Sequence, residues 1–362
     1  MHVGVLKETA PRERRVALVP DSVARLIKAG DTVTVQRGAG AAAWFSDQAY
    51  TAAGATLGDA RDAAAADVVC KVQRPADNEL DGFRNGAVVV ALAGRDASAS
   101  PETLASRGIM LLALERVPRS TRAQAMDVLS SQATVAGYKA VLIGASSLAR
   151  FLPMLTTAAG SLTPAKALIL GAGVAGLQAI ATARRLGAVV TGFDVRAAAA
   201  EAVLSLGAKF LAPGAIAQDA ATTGGYAREL EDEQQQRVLA AISGAIAQSD
   251  LVISTAAIPG KPAPRLITST MVAQMKPGSV IVDVSAETGG NCELTRPGET
   301  VEHHGVTIIG PLNLPSTMPM HASQMFSRNV QTLVDLLRKD GKLTLTMSDD
   351  IIAAMCLGGP AR

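Results

Sequence analysis

Aromatic residues are nearly missing from this chain. Of its 362 residues one is Trp, three are Tyr and six are Phe, 3% in all. Yet 48% of the residues are hydrophobic and 18% charged. The core supply is therefore full but aliphatic and Ala-rich, which excludes a disordered chain and suits helices packed closely on sheets. Cysteine is scarce as well. Cys70, Cys292 and Cys356 are odd in number, far apart, and in no Cys-x-x-Cys or Cys/His spacing. That argues against a disulfide framework and structural zinc, and it points to a reducing compartment. Charge of one sign is lacking too: the formal net charge is +2 and no five-residue Lys/Arg block occurs. Nothing here makes a case for nucleic acid or an anionic lipid surface. Long hydrophobic runs are absent. The longest, such as residues 87–93, are strand-sized, against the ~20 residues needed to span a bilayer. Residues 1–8 lack the basic segment and apolar stretch of a signal peptide. No direct membrane insertion is expected.

What is present is alternation. The length fits two lobes of roughly 150–200 residues each. Residues 2–6, 32–36, 67–72, 87–92 and 109–114 read as strands. Asp21 opens a helix that ends at Gly30, and residues 46–53 form another that stops at Gly54. Strands alternating with helices imply βαβ units and a parallel sheet. Residues 117–150 break the pattern with a Pro-Arg turn and a long helical stretch through 123–137, which reads as a hinge or spine. Residues 154–166 hold Thr156-Thr157, Gly160-Ser161 and Pro164 and read as a projecting hairpin. A second series of strands runs through 167–170, 188–193, 251–255, 279–284 and 306–309. Residues 214–237 read as a long mobile loop entering a helix. Helical periodicity returns at 324–337, in a segment too short for a lobe of its own. The expected fold class is α/β, two Rossmann-like lobes with parallel sheets flanking a cleft. The first lobe is residues 1–130 completed by 312–362, and the second is 131–311.

The strongest motif is Gly171-Ala172-Gly173-Val174-Ala175-Gly176, after an apolar strand and before a helix over 177–186. Gly171 permits the tight turn, Gly173 lets backbone approach a pyrophosphate, and Gly176 lets helix and strand pack closely. The helix N-terminus adds free N–H groups and a partial positive charge. A second strand ends in Asp194, 18 residues after Gly176. An acid there accepts hydrogen bonds from ribose hydroxyls and repels a 2′-phosphate, so the expected cofactor is NAD(H) and not NADP(H). Arg196, two residues on, works against that preference.

The stretch RSTRAQAMDVLSSQATVAGY at 119–138 closely resembles the signature segment of the NAD(H)-binding component of proton-translocating NAD(P) transhydrogenases. So do residues 171–186, IPGKPAP at 258–264, MKPG at 275–278, GGNC at 289–292 and NLPS at 313–316. The resemblance covers nearly the whole chain. Alanine dehydrogenase shares the fold and several of these segments. The resemblance implies that Arg119, Asp127 and Ser130 hold the carboxamide and neighbouring groups of the nicotinamide, and that Gln124 reaches toward NADP(H) on a partner domain. It also implies that Tyr226, after Gly224-Gly225, folds over bound nucleotide. Val195 and Ala256 complete the expected cofactor contacts, with no metal. The implied partners are a membrane-spanning subunit and an NADP(H)-binding domain. The implied setting is a homodimer, its 154–166 hairpin reaching across, peripheral on the cytoplasmic face of a bacterial inner membrane. Hydride then passes directly between two nicotinamide rings, so catalysis is mainly a matter of bringing two carbons to roughly 3–3.5 Å in a dry site.

Two other classes compete. An alanine-dehydrogenase-like enzyme is suggested by Arg15 and Lys71, which match positions that bind a substrate carboxylate there. Such an enzyme needs a proton acceptor beside the reacting carbon. The family histidine for that role falls at or near Ala91, and the aspartate near the nicotinamide falls at Glu287. Arg15 and Lys71 therefore read as structural or anion-tolerant residues. A pure NAD-sensing module is the third class, separated from an enzyme by hydride exchange on adding a partner. His303-His304 beside Glu302 reads as a solvated turn before a strand, its rings pointing apart, and not as a metal site.

Overall fold

The computed structural model describes residues 1–94, 101–211, 232–258 and 260–357. The chain divides into two compact units, Met1–Gln132 with Pro315–Arg362, and Ala133–Leu314.

In the first unit the strands are β1 (His2–Val5), β2 (Thr32–Gln36), β3 (Thr56–Gly58), β4 (Val68–Gln73), β5 (Val88–Leu92) and β6 (Met110–Ala113). Their order across the sheet is β3-β2-β1-β4-β5-β6, with Cys356–Leu357 added antiparallel beside β6. The other neighbours pair in parallel. Parallel strands are covered on both faces, which is why the first five residues of β4, Val-Val-Cys-Lys-Val, are all buried. The helix Pro20–Lys28 ends before Gly30, at φ 92°, and Asp47–Ala52 ends before Gly54, at φ 94°. A left-handed glycine is how such helices stop. The C-terminal helix Pro319–Leu337 buries Phe326, Val330, Leu333 and Val334 in the same core as Val3, Val5 and Val35. That packs it on the first lobe, as its shortness suggests.

The second unit begins with a hairpin, β7 (Leu155–Thr157) and β8 (Gly160–Leu162), antiparallel and largely exposed. Its sheet holds β9 (Lys166–Leu170), β10 (Val189–Phe193), β11 (Lys209–Leu211), β12 (Leu251–Ser254), β13 (Val280–Asp283), β14 (Thr300–His303) and β15 (Val306–Ile309). The order is β11-β10-β9-β12-β13-β15-β14, parallel except for the β14 edge. With the antiparallel edge strand β14 set aside, the six parallel strands follow the 3-2-1-4-5-6 order of dinucleotide-binding sheets. The α/β reading with two Rossmann-like lobes holds in both units.

Three local expectations change. The helix expected through 123–137 runs instead over Val128–Ser147, preceded by a 3-10 turn at Gln124–Met126. Asp127 stands between them with φ −73° and ψ 89°. Its carboxylate accepts from the Ser130 amide at 2.9 Å and the Ser130 hydroxyl at 2.6 Å. A side chain that caps the first turn fixes the start of the helix there. The helix after the glycine motif starts earlier than expected, at Val174. The edge strands β3 and β14 and the strand Cys356–Leu357 were not expected at all.

Candidate functional site

Each glycine of the 171–176 turn stands in a different environment. Gly171 has φ +94°, which favours glycine, and a Cβ there would meet Thr255 Oγ1 at 2.8 Å and the Ala256 nitrogen at 3.2 Å. A Cβ on Gly176 would lie 1.8 Å from the Gly171 carbonyl oxygen. Gly173 is different: among the described residues nothing lies within 4 Å of its Cβ position. Protein packing therefore explains the first and third glycines, and open space lies over the second. Gly173 is also the N-cap of Val174–Arg185 and supplies no side-chain acceptor. The first-turn amides, those of Val174 and Ala175 among them, gain no cap from it, which is the arrangement that receives an anion. Arg184 and Arg185 in the last turn suit the opposite end of the helix dipole. From the other side, Gly137 brings its helix so close that a Cβ would lie 2.0 Å from the Ala175 oxygen.

Asp194 follows β10, at the end of the strand where the sequence placed it, and it is buried with its carboxylate already engaged. One oxygen accepts from the Arg196 amide and Nε, each at 2.9 Å. The other accepts from the Ala172 amide at 2.8 Å and the Arg196 terminal nitrogen at 2.9 Å. Burial alone would raise this carboxyl, but the Arg196 guanidinium and the two amides outweigh it and hold it below the usual range. A carboxylate offers about four acceptor positions, so ribose hydroxyls reach Asp194 only where Arg196 gives way. Val195 is half-buried between the pair. Ala256 lies just past β12, and Thr255 donates to the carbonyls of Leu170 and Gly171, each at 3.2 Å. The residues after β12 thus abut the glycine turn.

The residues from Arg119 to Ser130 belong to the first unit. Arg119 and Gln124 are exposed, while Asp127 and Ser130 are half-buried and bonded to each other. Gln124 lies in the 3-10 turn and Asp127 in the cap, so the two do not share a helix face, because the capping carboxylate ends one turn before the next begins. The segment is fastened by Arg122, which donates to both oxygens of Asp349 at 2.7 Å. Asn329 Nδ2 holds the Ala125 carbonyl at 2.7 Å. Tyr226 and Gly224-Gly225 lie outside the described residues.

Arg15 and Lys71 are buried, and each has a carboxylate of its own chain. Arg15 donates to Glu13 through Nε at 2.8 Å and NH2 at 2.7 Å, and to Gln132 at 2.8 Å. Lys71 donates to both oxygens of Glu79, at 2.8 and 3.0 Å. Glu13 and Gln132 were not singled out in the sequence; a buried cation asks for such partners but does not name them. Ala91 is fully buried, in one apolar cluster with Val89, Leu104 and Leu111. Glu287 accepts from the Asn313 amide at 2.6 Å. His303 ends β14, and His304 (φ 50°) with Gly305 (φ 73°) makes the hairpin turn to β15. The two rings do not point apart as expected but meet edge to face at 4.4 Å, because the tight turn brings them together.

Comparison with known proteins follows the same lines. Residues 4–136 match the family described as "Alanine dehydrogenase/PNT, N-terminal domain", and residues 140–358 match its "C-terminal domain". The chain is 46% identical to an NAD(P) transhydrogenase subunit alpha of Rhodospirillum rubrum, over 99% of this chain and 96% of that protein. Identity to the alanine dehydrogenase of Bacillus subtilis is 33%, over 88% of this chain and 81% of that one. A solved structure of transhydrogenase from Sinorhizobium meliloti matches with a TM-score of 0.89 at 45% identity, over 99% of this chain and 98% of that one. With both lobes matched and relatives aligned along almost all of its length, the chain belongs to the alanine dehydrogenase/PNT family.

Proposed function

We propose that this chain is the NAD(H)-binding subunit of a proton-translocating NAD(P) transhydrogenase. The observation that carries the reading is the open space over Gly173, at an uncapped helix N-terminus on a 3-2-1-4-5-6 sheet. The higher identity to transhydrogenase, 46% against 33% for alanine dehydrogenase, supports the first of the two enzymes. Bound NAD(H) supplies or accepts the hydride, and the partner's NADP(H) is the other reactant. The chain's own residues bind and orient. Gly171, Gly173 and Gly176 with the amides of Val174 and Ala175 receive the pyrophosphate. Asp194, Val195, Arg196 and Ala256 line the adenosine and ribose side, and Tyr226 covers it. Arg119, Asp127 and Ser130 hold the carboxamide end, and Gln124 reaches the partner's nucleotide. No protein acid or base is needed when hydride moves ring to ring, so an apolar Ala91 is compatible with the chemistry.

The partners in this reading are an NADP(H)-binding domain and a membrane-spanning subunit that couples transfer to protons. Among the described residues no helix is long and apolar enough to cross a membrane, so such coupling is assigned to other chains, and this chain is placed as a peripheral subunit on the cytoplasmic face of the membrane. A homodimer is part of the reading. Its support is the exposed hairpin β7–β8, flanked by Met154 at 67% exposure and ending in Leu162 at 50%.

The test is to mix this chain with an NADP(H)-binding domain and follow hydride exchange between NAD and NADP analogues. Exchange is expected only with both present. Gln124→Asn is expected to leave NADH affinity in the isolated chain nearly intact and slow single-turnover transfer about 10²-fold, the effect of misplacing two reacting groups. A normal transfer rate would remove Gln124 from the contact between nucleotides. L-alanine oxidation at even ~1 s⁻¹, slow but ordinary for an enzyme, would move the protein to the dehydrogenase side.

A further inference from the structure

Asn291 is fully buried, and no part of the reading above uses it. Its side chain spends every polar atom on the end of β12 and the loop that follows it. Nδ2 donates to the Ala256 carbonyl at 2.9 Å and to the Pro264 carbonyl at 2.8 Å, while Oδ1 accepts from Ser254 Oγ at 2.7 Å. Its own carbonyl accepts from the amides of Leu266 and Ile267, at 2.8 and 3.0 Å. One amide group therefore pins both feet of the segment that leaves β12 at Ala256 and returns at Pro264. A second donor, Ser285 Oγ, reaches the same Ala256 carbonyl at 2.9 Å. Asp283 braces the far side by accepting from the amides of Ser285 and Cys292, at 3.1 and 2.9 Å.

This matters because of where Ala256 lies. Its nitrogen is 3.2 Å from where a Cβ on Gly171 would be, so it stands against the glycine turn. In a trans peptide the carbonyl and the following N–H point in opposite directions. Two buried donors that draw the Ala256 carbonyl inward thereby turn the Ala257 N–H outward. We infer that Asn291 is a positioning residue for the nucleotide: it sets the Ala256–Ala257 peptide beside the glycine turn and so tunes NAD(H) binding without touching the cofactor.

The inference rests on the NAD(H)-binding reading, and the experiment keeps the two apart. NADH affinity of the full chain is measured by titration calorimetry, beside thermal unfolding, for the unsubstituted protein, Asn291→Ala and Val272→Ala. Loss of the amide's hydrogen bonds is expected to weaken NADH about tenfold. Val272, fully buried in the same unit, is expected on truncation to lower Tm at least as far and to leave NADH affinity unchanged. In the reconstituted exchange assay the Asn291→Ala loss is expected in KM for NADH and not in kcat. Should Asn291→Ala fail to fold, Ser285→Ala decides; it deletes one of the two donors on Ala256 and is expected to weaken NADH about threefold. Unchanged affinity in the folded variant, with the unsubstituted chain binding NADH, overturns the inference alone. An unsubstituted chain that fails to bind NADH overturns the functional reading first.

Discussion

The two units thread their parallel strands in the same order and treat the place where that order reverses in opposite ways. In the second unit the reversal lies between β9 and β12, and the chain leaves β9 through three glycines with open space over the middle one. In the first unit it lies between β1 and β4, and residues 6–19 after β1 contain no glycine. Side chains take up that place. Glu8 accepts from the amides of Val72 and Gln73 at the end of β4, at 2.6 and 3.3 Å. Gln73 donates to Glu13 at 2.8 Å, and Glu13 pairs with Arg15. Ligands of such sheets enter at the reversal point. The same topology thus leaves room in one unit and fills it with an ionic network in the other, and side-chain choice in the first βα connection makes the difference.

The comparison breaks most severely at Gly176. A Cβ there would run into the Gly171 carbonyl, and nothing on a backbone oxygen can swing aside. Gly176→Ala is expected to abolish measurable NADH binding by titration calorimetry and to lower the stability of the second unit by about 1–3 kcal/mol, as overpacking does. The Gly173 position sharpens the contrast. With open space at its Cβ and φ −79°, Gly173→Ala is expected to change stability by no more than about 0.5 kcal/mol. It is also expected to weaken NADH by at least about tenfold, the effect of a methyl group where phosphate must approach. Unchanged NADH affinity would mean that the open space is not kept for a ligand.

At the filled site the expected effect is on stability alone. Burial raises the Glu8 carboxyl from 4.5 to about 7, against the opposing pull of Lys71. As pH rises from 4.5 to 7 the unfolded chain releases this proton first, so stability falls across that window, by up to roughly 3 kcal/mol, and is level above it. Glu13 runs the other way. Burial would raise it, but Arg15 holds it down to about 2, so its contribution is present above 4.5 and is lost as pH falls toward 2. Glu8→Gln is expected to flatten the decline between pH 5 and 7.5, narrowing the difference in unfolding midpoint by about 5 °C in scanning calorimetry. A decline as steep as in the unsubstituted chain would place the titrating group elsewhere.

Much of this was legible in the residues. β2 and β15 coincide with their alternating or apolar runs, and Gly30 and Gly54 stop their helices. The glycine turn was readable because every position in it answers to backbone geometry, which sequence spells out directly. What stayed hidden has two causes. The strands β3, β14 and Cys356–Leu357 are short, and β14 carries Thr300 and Glu302 facing solvent, so period-2 burial has little to show. His304-Gly305 between VEH and VTII was a usable hairpin signal. The second cause is the pairing of buried polar groups. That Arg15 meets Gln132, that Gln73 meets Glu13, and that Asn291 spans Ala256 and Pro264 depends on tertiary approach, and no spacing in the chain encodes it. Asp127 lies between these cases: Asp-Val-Leu-Ser is a capping pattern, and reading it as such would have moved the helix start.

The first unit is made of two separated stretches of chain, residues 1–132 and 315–362, and the second of the stretch between them. Its amides at Val16 and Val19 bond to the hydroxyls of Ser323 and Ser327, at 3.0 and 2.9 Å, and Phe326 and Val330 complete its core. On the ribosome those partners arrive about 300 residues after Val16, at a synthesis rate of about 5–20 residues per second. For tens of seconds the early strands have no lid for their apolar face, and the continuous second unit has all of its own chain a few seconds before that lid is made. The order of maturation is therefore the reverse of the order of synthesis, and the interval before Pro319–Leu337 emerges is when the nascent protein has most need of a chaperone.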